Sequence, residues 1–161
     1  MRTVYEDVPL VPQSTNMSCW AASIAMIVGW KQGRCSHDGT AIAVAGGAKY
    51  AASMAKGLNP DDRPILSANG FAIEEPTCYA PAEVEQLLRL FGPLWVASAA
   101  PAPHVRVICG CAADHVYVND PAPIGQGSQY TRRFNDFFGR VERLGASEWR
   151  QRAPVYLAHL R

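Results

Sequence analysis

Cys19 follows the polar run Gln13-Ser14-Thr15-Asn16-Met17-Ser18 and opens an apolar stretch that continues to Trp30. A cysteine so placed begins a buried helix, where unpaired backbone N–H groups and the helix dipole favour a thiolate. A thiolate attacks a carbonyl carbon when a histidine takes the thiol proton and later protonates the leaving amine, with a third residue fixing the histidine's tautomer. His104 and Asp120 fit those two parts. Gly110 to Asp114 reads as the turn between strands at 104–109 and 115–120, and centring it on Ala112 sets His104 opposite Asp120. The same register sets Arg106 against Val118 and Ile108 against Val116, with Val105, Val107, Tyr117 and Asn119 on the other face. A slip of one residue would bring Asn119 across from His104, which makes Asn119 the reserve for the orienting role. Gln13, six residues before Cys19, is near enough across the turn for its amide to join the Cys19 backbone N–H in holding a developing oxyanion.

The elements that must position these residues follow from pattern and punctuation. Residues 1–16 read as an extended arm that ends in a turn. The alanine-rich run after Cys19 predicts a buried helix that Ser18 or Asn16 could cap and Gly33 stops. Residues 38–56 predict a second, weaker helix, broken at Gly46-Gly47. Residues 59–70, with Pro60, Asp61, Asp62, Pro64 and Asn69, read as a surface loop with solvated charges. Pro81 suits a first helical position, and Val84, Leu87, Leu88 and Phe91 form an apolar stripe before Gly92-Pro93 ends the run. After Pro93 the pattern turns to short β-type runs at 94–99, 105–109 and 116–118, with 129–131 as an extension and 154–160 as a last strand. Residues 134–144 read as a short helix or helical turn. Helices first and strands later imply an α+β fold, with helices packed on an antiparallel sheet.

The run from Gln13 to Ala22, with its Gln six before the Cys and Ser-Cys-Trp-Ala around the nucleophile, resembles the corresponding segment of papain-like cysteine proteases. Gly92-Pro93-Leu94-Trp95-Val96, His104 to Gly110, and Val118-Asn119-Asp120-Pro121 resemble the later blocks of the compact bacterial branch, close to staphopain and the plant-pathogen avirulence-effector proteases. The resemblance runs from Val8 to about Pro121. It implies a papain-like fold with the active site between a helical half and a sheet half. By position it matches Cys19 to the nucleophile, His104 to the general base, Asp120 to the orienting acid and Gln13 to the oxyanion donor. Aspartate stands where papain itself has asparagine, as in other members of the compact branch.

At 161 residues the chain fits a single domain, and 48% hydrophobic against 18% charged residues is enough apolar material for a core. A net charge of +1 lacks the basic excess of a nucleic-acid binder, and Arg132, Arg133, Arg140 and Arg143 read as a solvated helical face. No apolar run is long enough to span a membrane, and the acidic N-terminus does not suit a signal peptide. Five cysteines, an odd number, do not suit a disulfide framework. Cys109, Cys111 and His115, completed by Cys35 or Cys78, form a weaker alternative as a zinc site. His37 and His159 read as surface or filler histidines, and Trp20, Trp30 and Trp95 as core aromatics, with Trp20 able to wall the cleft. The reading that results is an endopeptidase using a thioester acyl-enzyme on proteins of a target cell. It needs no cofactor and no metal, binds no nucleic acid or membrane, and acts as a monomer. As a secreted effector or toxin it would be cytoplasmic until a specialised secretion system delivers it, and a cognate inhibitor or immunity protein would accompany it. The alternatives are an acyltransferase or deamidase using the same triad, and a non-catalytic, metal-stabilised binding domain.

Overall fold

The apolar run after Cys19 folds as α1 (Cys19–Lys31), whose residues 19–27 are all buried. A helix apolar on nearly every side must be surrounded, and here a sheet and other helices enclose it. The computed structural model describes residues 3–33, 37–59, 62–98, 104–138 and 155–161. β1 (Val4–Tyr5) precedes α1, and α2 (Gly39–Ala45) and α3 (Ala48–Lys56) follow it, separated by Gly46-Gly47 as the glycines predict. Next come α4 (Pro64–Ala68), β2 (Phe71–Ile73) and α5 (Pro81–Phe91), then β3 (Leu94–Ser98), β4 (His104–Ala112), β5 (His115–Asp120), β6 (Ser128–Arg133) and β7 (Tyr156–Leu160). Residues 134–138 are helical; the remainder of the 134–144 expectation lies outside the described residues, as does the start of the last strand at Pro154.

The strands form one antiparallel sheet in the order β2-β7-β3-β4-β5-β6, with β1 beside the far end of β4. Both faces are covered. Trp95, Val105, Val107 and Cys109 pack toward α1, whereas Val96, Ile108, Cys111, Val118 and Leu157 form a second core with α5 and the phenylalanines of 134–138.

Three expectations need correction. The 59–70 segment is not a plain surface loop: Ile65 and Leu66 are buried and draw α4 out of it, with Pro64 at its first position. Nor are its charges merely solvated, since Asp62 is buried, ion-paired with Lys49 and accepts the Asn59 N–H at 3.1 Å. Arg132 and Arg133 lie on the edge strand β6 rather than on a helix, and Arg140 and Arg143 fall outside the described residues. β2, which no pattern announced, is only three residues long and exists by pairing with β7.

The register of the central hairpin also differs from expectation. β4 continues to Ala112, which pairs with His115, so the loop is the dipeptide Ala113-Asp114, with Ala113 at φ 49°. Cys111 then opposes Val116 and Gly110 opposes Tyr117, but Ile108 opposes Val118: Cys109 is an extra residue, a β-bulge. Extended without the bulge, the hairpin register would put Asp120 opposite Val107, on the face turned to α1. With it, Val107 meets Asn119 and Arg106 comes level with Asp120. His104 and Asp120 therefore share a face as expected, but diagonally and not as a facing pair.

Gly110, next to the bulge, is where β1 crosses β4. A Cβ there would lie 2.3 Å from the Val4 carbonyl oxygen and 2.8 Å from the Tyr5 Cα. Gly110→Ala should push the N-terminal strand off β4 and cost about 1–3 kcal/mol, measured as a drop in the urea midpoint.

Candidate active site

Ser18 takes the N-cap position of α1 but does not cap it. Its hydroxyl turns back, accepting the N–H groups of Ser14 at 3.1 Å and Thr15 at 2.9 Å, and donating to the Thr15 carbonyl at 3.2 Å. Thr15 in turn anchors the loop by donating its hydroxyl to the Met54 carbonyl at the end of α3. The first intrahelical bond runs from the Ala22 N–H to the Ser18 carbonyl at 3.1 Å. The N–H groups of Cys19, Trp20 and Ala21 precede that bond, so they form the positive end of the helix around the Cys19 side chain. Cys19 is a free, buried thiol.

The thiol and the His104 ring line the same cleft, and the thiol favours the charged ring. His104 Nε2 lies 2.6 Å from Asp120 Oδ1, which leaves Nδ1 for Cys19. Burial acts against the charged imidazole, but the hydrogen bonds to Asp120 and to Cys19 outweigh it and raise His104 from 6.5 to about 9. Arg106 opposes that rise. Burial likewise pushes Asp120 up, and its hydrogen bonds to His104 and to the Ala122 N–H outweigh this and lower it from 3.8 to about 2. Each group thus holds the other in its charged form.

Beside this pair a cleft of about 290 Å³ is lined by Cys19 and His104 and floored by apolar side chains, including Leu58, Leu66, Ile73, Trp95 and Tyr156. Lys56 and Arg63 also border it. Asn59, Arg63 and Leu66 of this wall come from the 59–70 segment that the sequence offered only as a loop. Trp20 does line the cleft while remaining fully buried, and Trp95 joins it there, donating its indole N–H to the Trp20 carbonyl at 3.4 Å.

Gln13 is buried and fixed by its backbone: its N–H donates to the Pro121 carbonyl at 2.9 Å and its carbonyl accepts the Gly125 N–H at 3.0 Å. Its side-chain Oε1 is buried with no hydrogen-bond partner among the described residues. Asn119, the reserve for the orienting role, faces the other way: it donates to the Val8 carbonyl and accepts from Gln129, each at 3.0 Å. Cys109 and Cys111 sit in different cores on opposite faces of the sheet, because the bulge between them breaks the two-residue alternation. They do not converge on one ion; Cys35 lies outside the described residues. Among the described residues no group of three or more His, Cys, Asp and Glu side chains is placed to hold a metal. His159 is interior, stacked on Phe91 at 3.6 Å and bonded to Glu74 at 2.9 Å, while His37 is exposed and bonded to Gln32 at 2.7 Å. Arg106 and Tyr130, whose side chains reach Asp120 Oδ2 at 2.7 and 3.2 Å, were not singled out by the sequence.

Residues 3–139 match the family model described as papain-like cysteine protease AvrRpt2. The chain belongs to this family of papain-like cysteine proteases. It is thus a cysteine peptidase on an α+β papain-like fold. Its structure is similar to a double-glycine-motif protease of an AMS/PCAT transporter, solved in complex with the leader peptide (18% identity, TM-score 0.60, covering 100% of this chain and 99% of that one). A putative C39-like peptidase from Bacillus anthracis matches at 14% identity and TM-score 0.60, covering 100% and 99%. The peptidase domain of Streptococcus ComA, a bifunctional ABC transporter, matches at 16% identity and TM-score 0.55, covering 94% and 98%. These three likenesses establish the fold and not the substrate. No curated protein matches the chain.

The paired shifts give this protease a defined pH response. The raised His104 contributes stability that is complete below pH 6.5 and is lost as pH rises through about 9. The lowered Asp120 contributes stability that is complete above pH 3.8 and is lost as pH falls toward about 2. Denaturant unfolding from pH 6.5 to just above 9 should show a decline in the wild type that is much reduced in His104→Gln.

Proposed function

We propose that the chain is an endopeptidase in which Cys19 is the nucleophile, His104 the general base and acid, Asp120 the orienting acid and Gln13 an oxyanion donor. The observation that carries this reading is the pair of Cys19, at a helix N-terminus, and His104 lining one cleft, with the histidine ring held by Asp120 at 2.6 Å. In the first step His104 Nδ1 already holds the proton of the Cys19 thiol, and the sulfur attacks the peptide carbonyl carbon. The carbonyl oxygen then carries the negative charge, and the Cys19 N–H, not used within the helix, together with the Gln13 side-chain amide, supplies donors for it. The imidazolium gives its proton to the leaving amine, the C–N bond breaks and a thioester remains. A water molecule, losing its proton to His104, attacks the thioester; the carboxylic acid leaves and the thiol is restored. No step calls for a cofactor or a metal.

The substrate is a polypeptide, a reading favoured by an open cleft beside the thiol and by the leader peptide held in the double-glycine-motif relative. The resemblance to avirulence-effector proteases supports a finer proposal. The enzyme acts as a monomer on proteins of a target cell, stays cytoplasmic in its producer until a specialised secretion system delivers it, and is held in check there by an inhibitor or immunity protein that covers the cleft. Pull-down from the producer with Cys19→Ala as bait should recover that inhibitor; equal recovery with wild-type protein whose cleft is filled by an epoxide bonded to Cys19 would reject it.

Digestion of a proteome-derived peptide library, read by mass spectrometry, tests the reaction. New peptide termini are expected with the wild type. Cys19→Ala and His104→Ala should each lower turnover by about 1,000-fold or more, and Gln13→Ala by about 100-fold. An epoxide probe should label Cys19 alone, and only slowly in His104→Ala. Deamidated or amine-exchanged peptides without new termini would instead assign a deamidase or acyltransferase.

A further inference from the structure

Asp120 has more partners than the reaction requires. Oδ1 meets His104 Nε2 at 2.6 Å and accepts the Ala122 N–H at 3.0 Å. Oδ2 accepts from Arg106 Nε at 2.7 Å and from the Tyr130 hydroxyl at 3.2 Å. The Asp120 side chain is 8% exposed and that of Arg106 25% exposed, so their attraction is only partly screened by water. Arg106 is two residues along β4 from His104, on the same face, and comes level with Asp120 only because of the bulge at Cys109.

We infer that Arg106 is a positioning residue for the Cys19–His104 reaction, fixing the Asp120 carboxylate in plane and making aspartate, rather than asparagine, obligatory at position 120. This rests on the proposed roles of Cys19 and His104. An asparagine whose carbonyl oxygen accepted from His104 would turn its NH₂ group toward Arg106 Nε and the Tyr130 hydroxyl. Donor would then face donor at Arg106, with a guanidinium left uncompensated beside the imidazolium. The ionisable groups facing the imidazole are Cys19 from α1, Arg106 on β4 itself, Asp120 from β5 and Tyr130 from β6, with Lys56 and Arg63 bordering the cleft. Of these, Arg106 disfavours protonation of His104, so its loss should make the ring more basic.

The rate of Cys19 alkylation by iodoacetate, measured against pH, tests this without a known substrate, because an anionic reagent reacts fastest with a thiolate beside an imidazolium. The wild type should give a bell-shaped profile. Arg106→Gln should move the alkaline limb to higher pH and lower the maximum several-fold, and Arg106→Lys should return the limb toward its wild-type position. Asp120→Asn should be slower than the Arg106→Gln/Asp120→Asn double variant by about tenfold, because Gln can accept from the asparagine NH₂. A bell-shaped wild-type profile with Arg106→Gln unshifted, or with the two single losses multiplying in the double variant, would overturn the inference while leaving the thiol–imidazole pair intact. A wild-type profile of an ordinary thiol would overturn both. Near-ultraviolet circular dichroism of each variant ensures that only folded protein is compared.

Discussion

A carboxylate taken out of water must find donors for both oxygens, and that demand at Asp120 organises the region around it. Four donors meet it: a ring nitrogen from the start of β4, a guanidinium two residues on, a hydroxyl from β6 and a backbone N–H from the loop after β5. The bulge at Cys109 is the local irregularity that puts the carboxylate on their face, since the hairpin's own register would turn it toward α1. One extra residue in a strand thus decides whether the histidine has a partner.

The helical half meets a complementary constraint. The Ser18 hydroxyl is spent on the loop before it, so the first N–H groups of α1 are left outside the helix's own bonding. The same bonds, with the Thr15 link to the end of α3, hold residues 14–18 in a fixed turn. Residues 121–127 clamp Gln13 through two backbone bonds, joining the loop before the thiol to the loop after Asp120. The site therefore spans two layers that are connected at several points.

Much of this was legible in the sequence because it is local. The apolar helix after Cys19, the break at Gly46-Gly47, the helix from Pro81 to Gly92-Pro93 and the strands after it all follow from spacing and punctuation. What was not legible depends on tertiary partners. β2 carries no pattern at three residues and needs β7, α4 forms because Ile65 and Leu66 have a core to enter, and the bulge has no residue signature beyond Gly110. The shared face of His104 and Asp120 was reached through a register two residues out, an error of even parity that leaves every side chain on its proper face. Arg106 shared that face in the expected register too, yet opposite Val118, so its bond to Asp120 could not be foreseen.

The Cys19 thiol and the Asp120 carboxylate together hold His104 in its protonated form. Titrating the His104 ring by ¹⁵N-detected NMR, in wild type and in Cys19→Ala, tests it most directly. A wild-type midpoint near 9, far above the ordinary 6.5, is expected, and it should fall when the thiol is removed. A midpoint near 6.5, unchanged in Cys19→Ala, would contradict it.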